Sequence, residues 1–119
     1  MPRNPALPSG MRAEQLARAY LERQGLRFLE SNWRCRFGEI DLVFQDVDTI
    51  VFVEVRLRTN PRFGSAGDSI HRAKRARLLA AARSYLARGR ERPCRFDAVL
   101  LDRLDAGHLE WIRDAISED

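Results

Sequence analysis

The chain has 119 residues, of which 45% are apolar and 32% charged, and its formal net charge is +4. This size favours one domain that buries roughly two thirds of the surface exposed by its unfolded chain. The sequence contains no apolar run of the roughly 18 residues that a membrane span needs, no secretory signal and no cysteine spacing typical of a zinc site or disulfide scaffold. We therefore expect a cytoplasmic protein without membrane association. The excess of basic residues fits a polyanionic partner such as nucleic acid.

Turn and capping residues divide the chain into two helices and five strands. Residues 1–9 contain several prolines and are expected to form a flexible tail, whereas residues 10–119 are expected to form one domain. Helices are predicted at 11–24 and 68–88, each followed by a glycine that ends it. Strands are predicted at 26–33, 38–44, 50–56, 95–101 and 108–112. The resulting order, αβββαββ, predicts an α/β fold with a mixed five-stranded sheet flanked by helices.

The second and third strands are expected to form a hairpin that carries two facing carboxylates. If residues 47–48 make the turn, Asp41 lies directly opposite Glu54, and Glu39 lies opposite Arg56. Facing side chains have Cβ atoms roughly 4.5–5.5 Å apart, and like charges at that distance repel. Such a pair is expected to share a cation or a proton, so the hairpin predicts a metal site. A register shift of one residue would separate the two carboxylates.

Period-two alternation assigns the hairpin residues to two faces of the sheet. The apolar face is predicted to hold Ile40, Leu42, Phe44, Val51, Val53, Val55 and Leu57. The other face is predicted to hold Glu39, Asp41, Val43, Phe52, Glu54, Arg56 and Arg58. Charge is therefore expected to gather at one end of the second face.

Carboxylate oxygens suit Mg²⁺ or Mn²⁺, and the main-chain carbonyl of Val55 is a further candidate ligand. Such an ion polarises a phosphoryl oxygen and lowers the pKa of water, which indicates phosphodiester hydrolysis. Arg56 follows Glu54 by two residues on the same strand face, where it is expected to orient water or neutralise the phosphoryl group. The alternative is a surface pair, Asp41 and Glu54, neutralised by Arg56 and Arg58.

Short motifs along residues 10–116 carry a resemblance to known proteins. The segments GEIDL at 38–42 and FVEVRLR at 52–58 resemble the PD-(D/E)xK motif of restriction-endonuclease-like nucleases and Holliday-junction resolvases. Together with AE at 13–14, NWR at 32–34, FG at 63–64, Lys74, YL at 85–86 and RFD at 95–97, they resemble the YraN-type uncharacterised bacterial family. The resemblance implies a restriction-endonuclease-like core and a nuclease acting on DNA or RNA, including branched or nicked forms.

The resemblance also raises the question of which cation acts in catalysis. The nuclease motif has lysine where this chain has Arg56, and arginine cannot act as a general base. Lys74 is the candidate substitute, because it shares a helical face with Leu78; the alternative is a lysine that extends into water. Glu14 matches a carboxylate of the family's first helix and is an additional candidate ligand. Its alternative role is a charge that favours the helix N-terminus.

Four arginines near strand ends are candidate phosphate contacts, namely Arg34, Arg36, Arg58 and Arg62. Three functional hypotheses follow. The first is a Mg²⁺-dependent nuclease with Asp41, Glu54, Arg56 and Lys74 in catalysis. The second is a nucleic-acid-binding module of the same fold that has lost catalysis through Arg56, and the third is an adaptor protein. A second copy of the chain, in a homodimer, is a further candidate partner.

Overall fold

The computed structural model describes residues 9–57 and 72–116. The helices are α1 (Ser9–Arg23) and α2 (Arg72–Leu86). The strands are β1 (Arg27–Cys35), β2 (Gly38–Asp46), β3 (Thr49–Leu57), β4 (Cys94–Leu101) and β5 (Leu109–Ile112), with a short 3₁₀ turn at Ala106–His108 before β5. The predicted order αβββαββ and the α/β class are thus confirmed. None of the described helices is long and apolar enough to cross a membrane.

Helix α1 ends where the sequence predicts, at a glycine in the left-handed region. Gly25 has φ +96°, which glycine adopts without the steric cost that a Cβ would bring. The Gly25 amide donates to the Glu22 carbonyl at 3.0 Å and the Leu26 amide to the Leu21 carbonyl at 3.2 Å. This is the Schellman arrangement, and it turns the chain directly into β1. The helix begins at Ser9, two residues earlier than predicted.

The sheet is mixed, with strand order β1-β2-β3-β4-β5. Strands β1, β2 and β3 are antiparallel neighbours, β4 is parallel to β3, and β5 is antiparallel to β4. The parallel pair requires a crossover, and α2 lies in that connection. The β2–β3 turn is formed by Val47 and Asp48, as predicted.

The register of the β2–β3 hairpin is also the predicted one. Bridge pairs run from Asp46–Thr49 at the turn to Leu42–Val53. The ladder ends there, so Asp41 and Glu54 are neighbours just beyond its last bridge. The expected pairing of Glu39 with Arg56 is not formed, because the β2–β3 ladder ends at Leu42 and Val53. On its other edge, β2 continues to pair with β1 and places Glu39 opposite Arg34.

Helices α1 and α2 cover opposite faces of the sheet, which gives two apolar cores. The α1 core comprises Ala13, Ala17, Leu21, Leu26, Leu42, Phe44, Val51, Val53, Val99 and Leu101. The α2 core comprises Ile40, Val43, Ile50, Phe52, Leu78, Ala81, Ala82, Phe96 and Ile116. Small alanines at the contact surfaces let both helices lie close to the strands.

One expected face assignment is wrong. Ile40 packs in the α2 core with Val43, whereas Leu42 packs in the α1 core. The period-two alternation of β2 is therefore interrupted between Ile40 and Leu42, which is where its ladder with β3 ends. The assignments along β3 are confirmed for Val51 and Phe52.

Candidate active site

Charged side chains from four elements meet at the end of the sheet where β2 and β3 separate. Glu14 comes from α1, Asp41 from β2, Glu54 from β3 and Lys74 from α2. Glu14 precedes the buried Ala17 and Leu21 by three and seven residues, so it lies on the sheet-facing side of α1. Lys74 precedes the buried Leu78 by one helical turn and therefore lies on the sheet-facing side of α2.

Asp41 occupies the position where the next rung of the β2–β3 ladder would form. Its Oδ2 accepts a hydrogen bond of 2.9 Å from the main-chain amide of Val55. Burial is the largest influence on this carboxyl group and the negative charge of Glu54 is the second, and together they raise the pKa of Asp41 to about 8. The Val55 amide opposes this rise, and Glu14 adds to it. At neutral pH the cluster therefore retains a proton on Asp41 when no cation is bound.

Glu54 is the buried anchor of the site, with only 3% of its surface exposed. Its Oε1 lies 2.5 Å from Lys74 Nζ and 3.0 Å from Arg56 Nη2. Two cations thus neutralise one buried carboxylate, which offsets part of its desolvation cost. Lys74 is brought into the predicted site, and Arg56 lies beside it. The buried Arg56 Nε has no hydrogen-bond partner among the described residues.

A second group of carboxylates lies next to this pair. Glu14, Glu39 and Asp41 each offer an oxygen atom, and these atoms lie within 4.8 Å of one another. Burial raises the pKa of Glu14, against the lowering effect of a hydrogen bond from Asn32, and the charges of Glu39 and Glu54 raise it further. Three hard oxygen donors in this space fit Mg²⁺ or Mn²⁺. Among the described residues they are the carboxylates best placed to hold such an ion.

The structure adds Glu39 and Asn32 to the residues that sequence reasoning selected for the site. Glu39 stands two residues before Asp41 on the same strand, so its spacing was a usable signal. Asn32 has φ +52° in β1, a conformation that asparagine tolerates better than most residues. No sequence pattern indicates that its side chain reaches Glu14. Val55, predicted to offer its carbonyl, is placed at the site by its amide contact with Asp41.

The predicted phosphate contacts have different outcomes. Arg34 pairs with Glu39, with Nε 3.1 Å from Oε2, so it lies at the edge of the carboxylate group. Arg36 stacks on Phe37 in the exposed β1–β2 turn, with its guanidinium carbon 4.7 Å from the ring centroid. Both are close to the site in sequence and largely exposed. Arg58 and Arg62 lie outside the described residues.

Asp97 is a buried carboxylate with a structural environment. It is fully buried, and Arg95 Nε donates to its two oxygens at 3.1 and 3.2 Å. Trp111 Nε1 and the Asp114 amide also donate to it, each at 2.9 Å. All four contacts come from β4, β5 and the segment after β5, so Asp97 ties this edge of the sheet together.

Comparison with known proteins identifies the family of this chain. The model of the uncharacterised protein family UPF0102 matches residues 13–101. A UPF0102 protein of Methylobacillus flagellatus is 55% identical over 105 residues, covering 88% of this chain and 93% of the relative. Relatives in Nitrosomonas europaea and Pseudomonas aeruginosa are 55% and 50% identical, over 92% and 89% of this chain and 93% and 90% of their own. The chain belongs to the UPF0102 family, as the YraN-type resemblance implies.

Proposed function

We propose that this protein is a divalent-metal-dependent nuclease that hydrolyses phosphodiester bonds of DNA or RNA. The observation that supports this most strongly is the meeting of Glu14, Asp41, Glu54 and Lys74, from four separate elements, at one end of the sheet. A carboxylate pair that only stabilises the fold would not need further acidic groups beside it. Here Glu14 and Glu39 lie next to the pair, together with a lysine and an arginine, which suits metal-assisted phosphoryl transfer.

The chain's own groups have distinct roles in this proposal. Asp41, Glu14 and Glu39 offer the oxygen donors for the ion, and Asp41 releases its proton when the ion is bound. A bound Mg²⁺ or Mn²⁺ would stabilise negative charge on a phosphoryl oxygen and lower the pKa of water. Glu54 positions Lys74 and Arg56 through its Oε1 atom. Lys74 takes the place of the motif lysine, next to the motif carboxylate but from the helix.

The orientation of Arg56 supports a supplementary role. Its Nη2 is used by Glu54, while its buried Nε has no acceptor among the described residues. A guanidinium with an unused donor suits recognition of a phosphoryl oxygen, because its N–H groups are arranged in a rigid fork. Arg56 is therefore expected to stabilise charge rather than to remove a proton.

A second candidate function is a nucleic-acid-binding module without turnover. It is favoured by the two contacts at Glu54 Oε1, because Lys74 and Arg56 already neutralise this carboxylate in the absence of metal. In that case Glu54 serves the fold, and the arginines Arg34 and Arg36 supply only phosphate contacts. The two functions differ in turnover and not in binding.

Cleavage of a panel of labelled nucleic acids tests the proposal. Single-stranded, duplex, nicked and branched DNA and RNA would be incubated with the protein in Mg²⁺, Mn²⁺ or EDTA. We expect metal-dependent cleavage of at least one substrate, lost in Asp41→Asn and retained in Asp102→Asn, an exposed aspartate outside the site. Metal-loaded, nucleic-acid-bound protein without cleavage of any substrate would establish the binding module instead.

A further inference from the structure

A pocket at the opposite end of β3 from the carboxylates has no role in the proposed chemistry. It has a volume of about 190 Å³ and is lined by Ile50, Tyr85, Leu86, Arg88, Gly89, Arg90 and Arg92. This is smaller than the roughly 300–1,000 Å³ of pockets that hold drug-sized ligands. The pocket therefore suits one small group.

The charge of this pocket is positive. Of the seven lining residues within the described part of the chain, three are arginines and none is acidic. Two carboxylates contact the arginines from outside the lining: Glu30 lies 3.1 Å from Arg88 Nη1, and Asp48 lies 2.8 Å from Arg90 Nη2. Three guanidinium groups against two carboxylates leave a net positive charge. Each paired guanidinium also keeps further N–H groups for a ligand.

Arg92 is the residue of this pocket with an unsatisfied donor. Its side chain is 20% exposed, and its buried Nε has no hydrogen-bond partner among the described residues. The nearest carboxylate oxygen, on Asp48, is 3.9 Å away, which is too long for a hydrogen bond. A buried donor without an acceptor costs free energy, and an anionic ligand that draws the Arg92 side chain into the pocket would remove that cost.

Two aromatic rings contact Arg88, one of the arginines that line the pocket. The Arg88 guanidinium carbon lies 4.9 Å from the Tyr85 ring centroid and 5.8 Å from that of Trp33. These contacts orient an exposed arginine that would otherwise sample many rotamers. The pocket thus combines a fixed guanidinium, an unsatisfied buried donor and a small volume.

We propose that the pocket formed by Arg88, Arg90 and Arg92 binds a phosphate group of a nucleic acid strand. The identity of the strand rests on the proposed function, while the pocket's affinity for phosphate does not. Ile50 and Glu54 are four residues apart on β3, so they lie on one face of the strand and about 13 Å apart along it. In a duplex, where each strand rises about 3.4 Å per nucleotide, this phosphate would lie about four nucleotides from the carboxylate site.

Binding in EDTA by the full chain tests this inference without cleavage. The probes are one single-stranded oligonucleotide carrying a 5′-phosphate, the same oligonucleotide with a 5′-hydroxyl, and inorganic phosphate. We expect Arg92→Gln and Arg88→Gln to weaken oligonucleotide binding about tenfold, since a hydrogen bond to a charged group is lost. The control Arg23→Gln removes the same charge from the end of α1, on the other side of the sheet, and should have little effect.

The source of the phosphate follows from the two oligonucleotides. If the pocket binds a terminal phosphate, the 5′-phosphorylated oligonucleotide should bind more tightly than the 5′-hydroxyl form, and only its affinity should fall in Arg92→Gln. If the pocket binds an internal phosphodiester, the two oligonucleotides should bind equally well, and both affinities should fall in Arg92→Gln. Arg92 is half-buried, so Arg92→Gln could affect folding. Arg88 and Arg90 are exposed, and their glutamine variants then provide the same binding test.

Two outcomes separate this inference from the proposed function. In the first outcome, the protein cleaves nucleic acid with metal, but Arg92→Gln, Arg88→Gln and Arg23→Gln all bind the oligonucleotide equally well. This result would overturn the phosphate pocket and leave the nuclease proposal intact. If the protein binds no oligonucleotide, the nuclease fails, but titration with inorganic phosphate still tests the pocket. Phosphate should then shift the Gly89 amide resonance in wild type and not in Arg92→Gln, and an unchanged Gly89 resonance would overturn the pocket as well.

Discussion

Replacing Asp41 by asparagine should stabilise the metal-free protein at neutral and alkaline pH. Asparagine is nearly isosteric and keeps an oxygen that can accept from the Val55 amide, 2.9 Å from Asp41 Oδ2 in the wild type. What it removes is a carboxyl group whose pKa rises from 3.8 to about 8 through burial and the charge of Glu54. The substitution therefore isolates the cost of placing this acid in the site.

The sign and magnitude follow from the linkage of protons to folding. Below about pH 4 both states hold the proton, and above it the unfolded chain loses the proton while the folded protein keeps it, so wild-type stability falls with rising pH up to about 8. One pKa unit is about 1.36 kcal/mol, and the full shift would approach roughly 6 kcal/mol. Asp41 is partly exposed, and solvent screening reduces this to on the order of 1–3 kcal/mol at pH 8.

Urea denaturation in EDTA between pH 4 and pH 8 measures the difference. We expect Asp41→Asn to exceed wild type at pH 8, with an advantage that shrinks as the pH approaches 4, and Asp102→Asn to follow wild type throughout. Saturating Mn²⁺ should reverse the order, because a ligand at 1,000 times its Kd stabilises wild type by about 4.1 kcal/mol. Identical pH profiles for wild type and Asp41→Asn would refute the assignment of Asp41 as the protonated member of the cluster.

Three further predictions concern the ion pairs and the nucleic acid. Glu54→Gln should lower the free energy of unfolding by about 1–3 kcal/mol, because it leaves Lys74 and Arg56 without their shared counter-charge, and an unchanged urea midpoint would contradict that role. Lys74→Ala should abolish cleavage with little loss of nucleic-acid affinity, whereas Arg83→Ala, an exposed change on the same helix, should retain activity; equal rates would exclude Lys74 from the chemistry. Filter binding at increasing salt should give a log–log slope of about −0.9 per duplex phosphate neutralised, and a flat response would exclude phosphate-dominated binding.

Local patterns were sufficient for the architecture and the hairpin. Gly25, the alternating strands and the two-residue turn at Val47 and Asp48 act over a few residues, so their consequences are visible in the sequence. A hairpin's register follows from its turn, and this placed Asp41 next to Glu54. The family-like motifs added Glu14 and Lys74 as candidates, which local spacing alone would not have selected.

The contacts between elements were decided by tertiary packing. The alternation of β2 predicted Ile40 beside Leu42, but the strand changes face where its ladder with β3 ends and β1 becomes its remaining partner. The same change brings Glu39 to Arg34 instead of Arg56. These positions depend on how β2 pairs with the strands on both of its sides. The alternation pattern along β2 alone carries no information about that pairing.

The rotation of α2 over the sheet is the clearest example. The sequence places Lys74 on the apolar side of a helix, but its distance from Glu54 depends on how the Leu78 and Ala81 side chains pack against the strands. Likewise, the raised pKa of Asp41 arises from burial and from Glu54 on another strand. Sequence alone determined which residues carry the charges and which elements hold them. Packing decided which charges meet, because electrostatic coupling depends on distances in space and on desolvation.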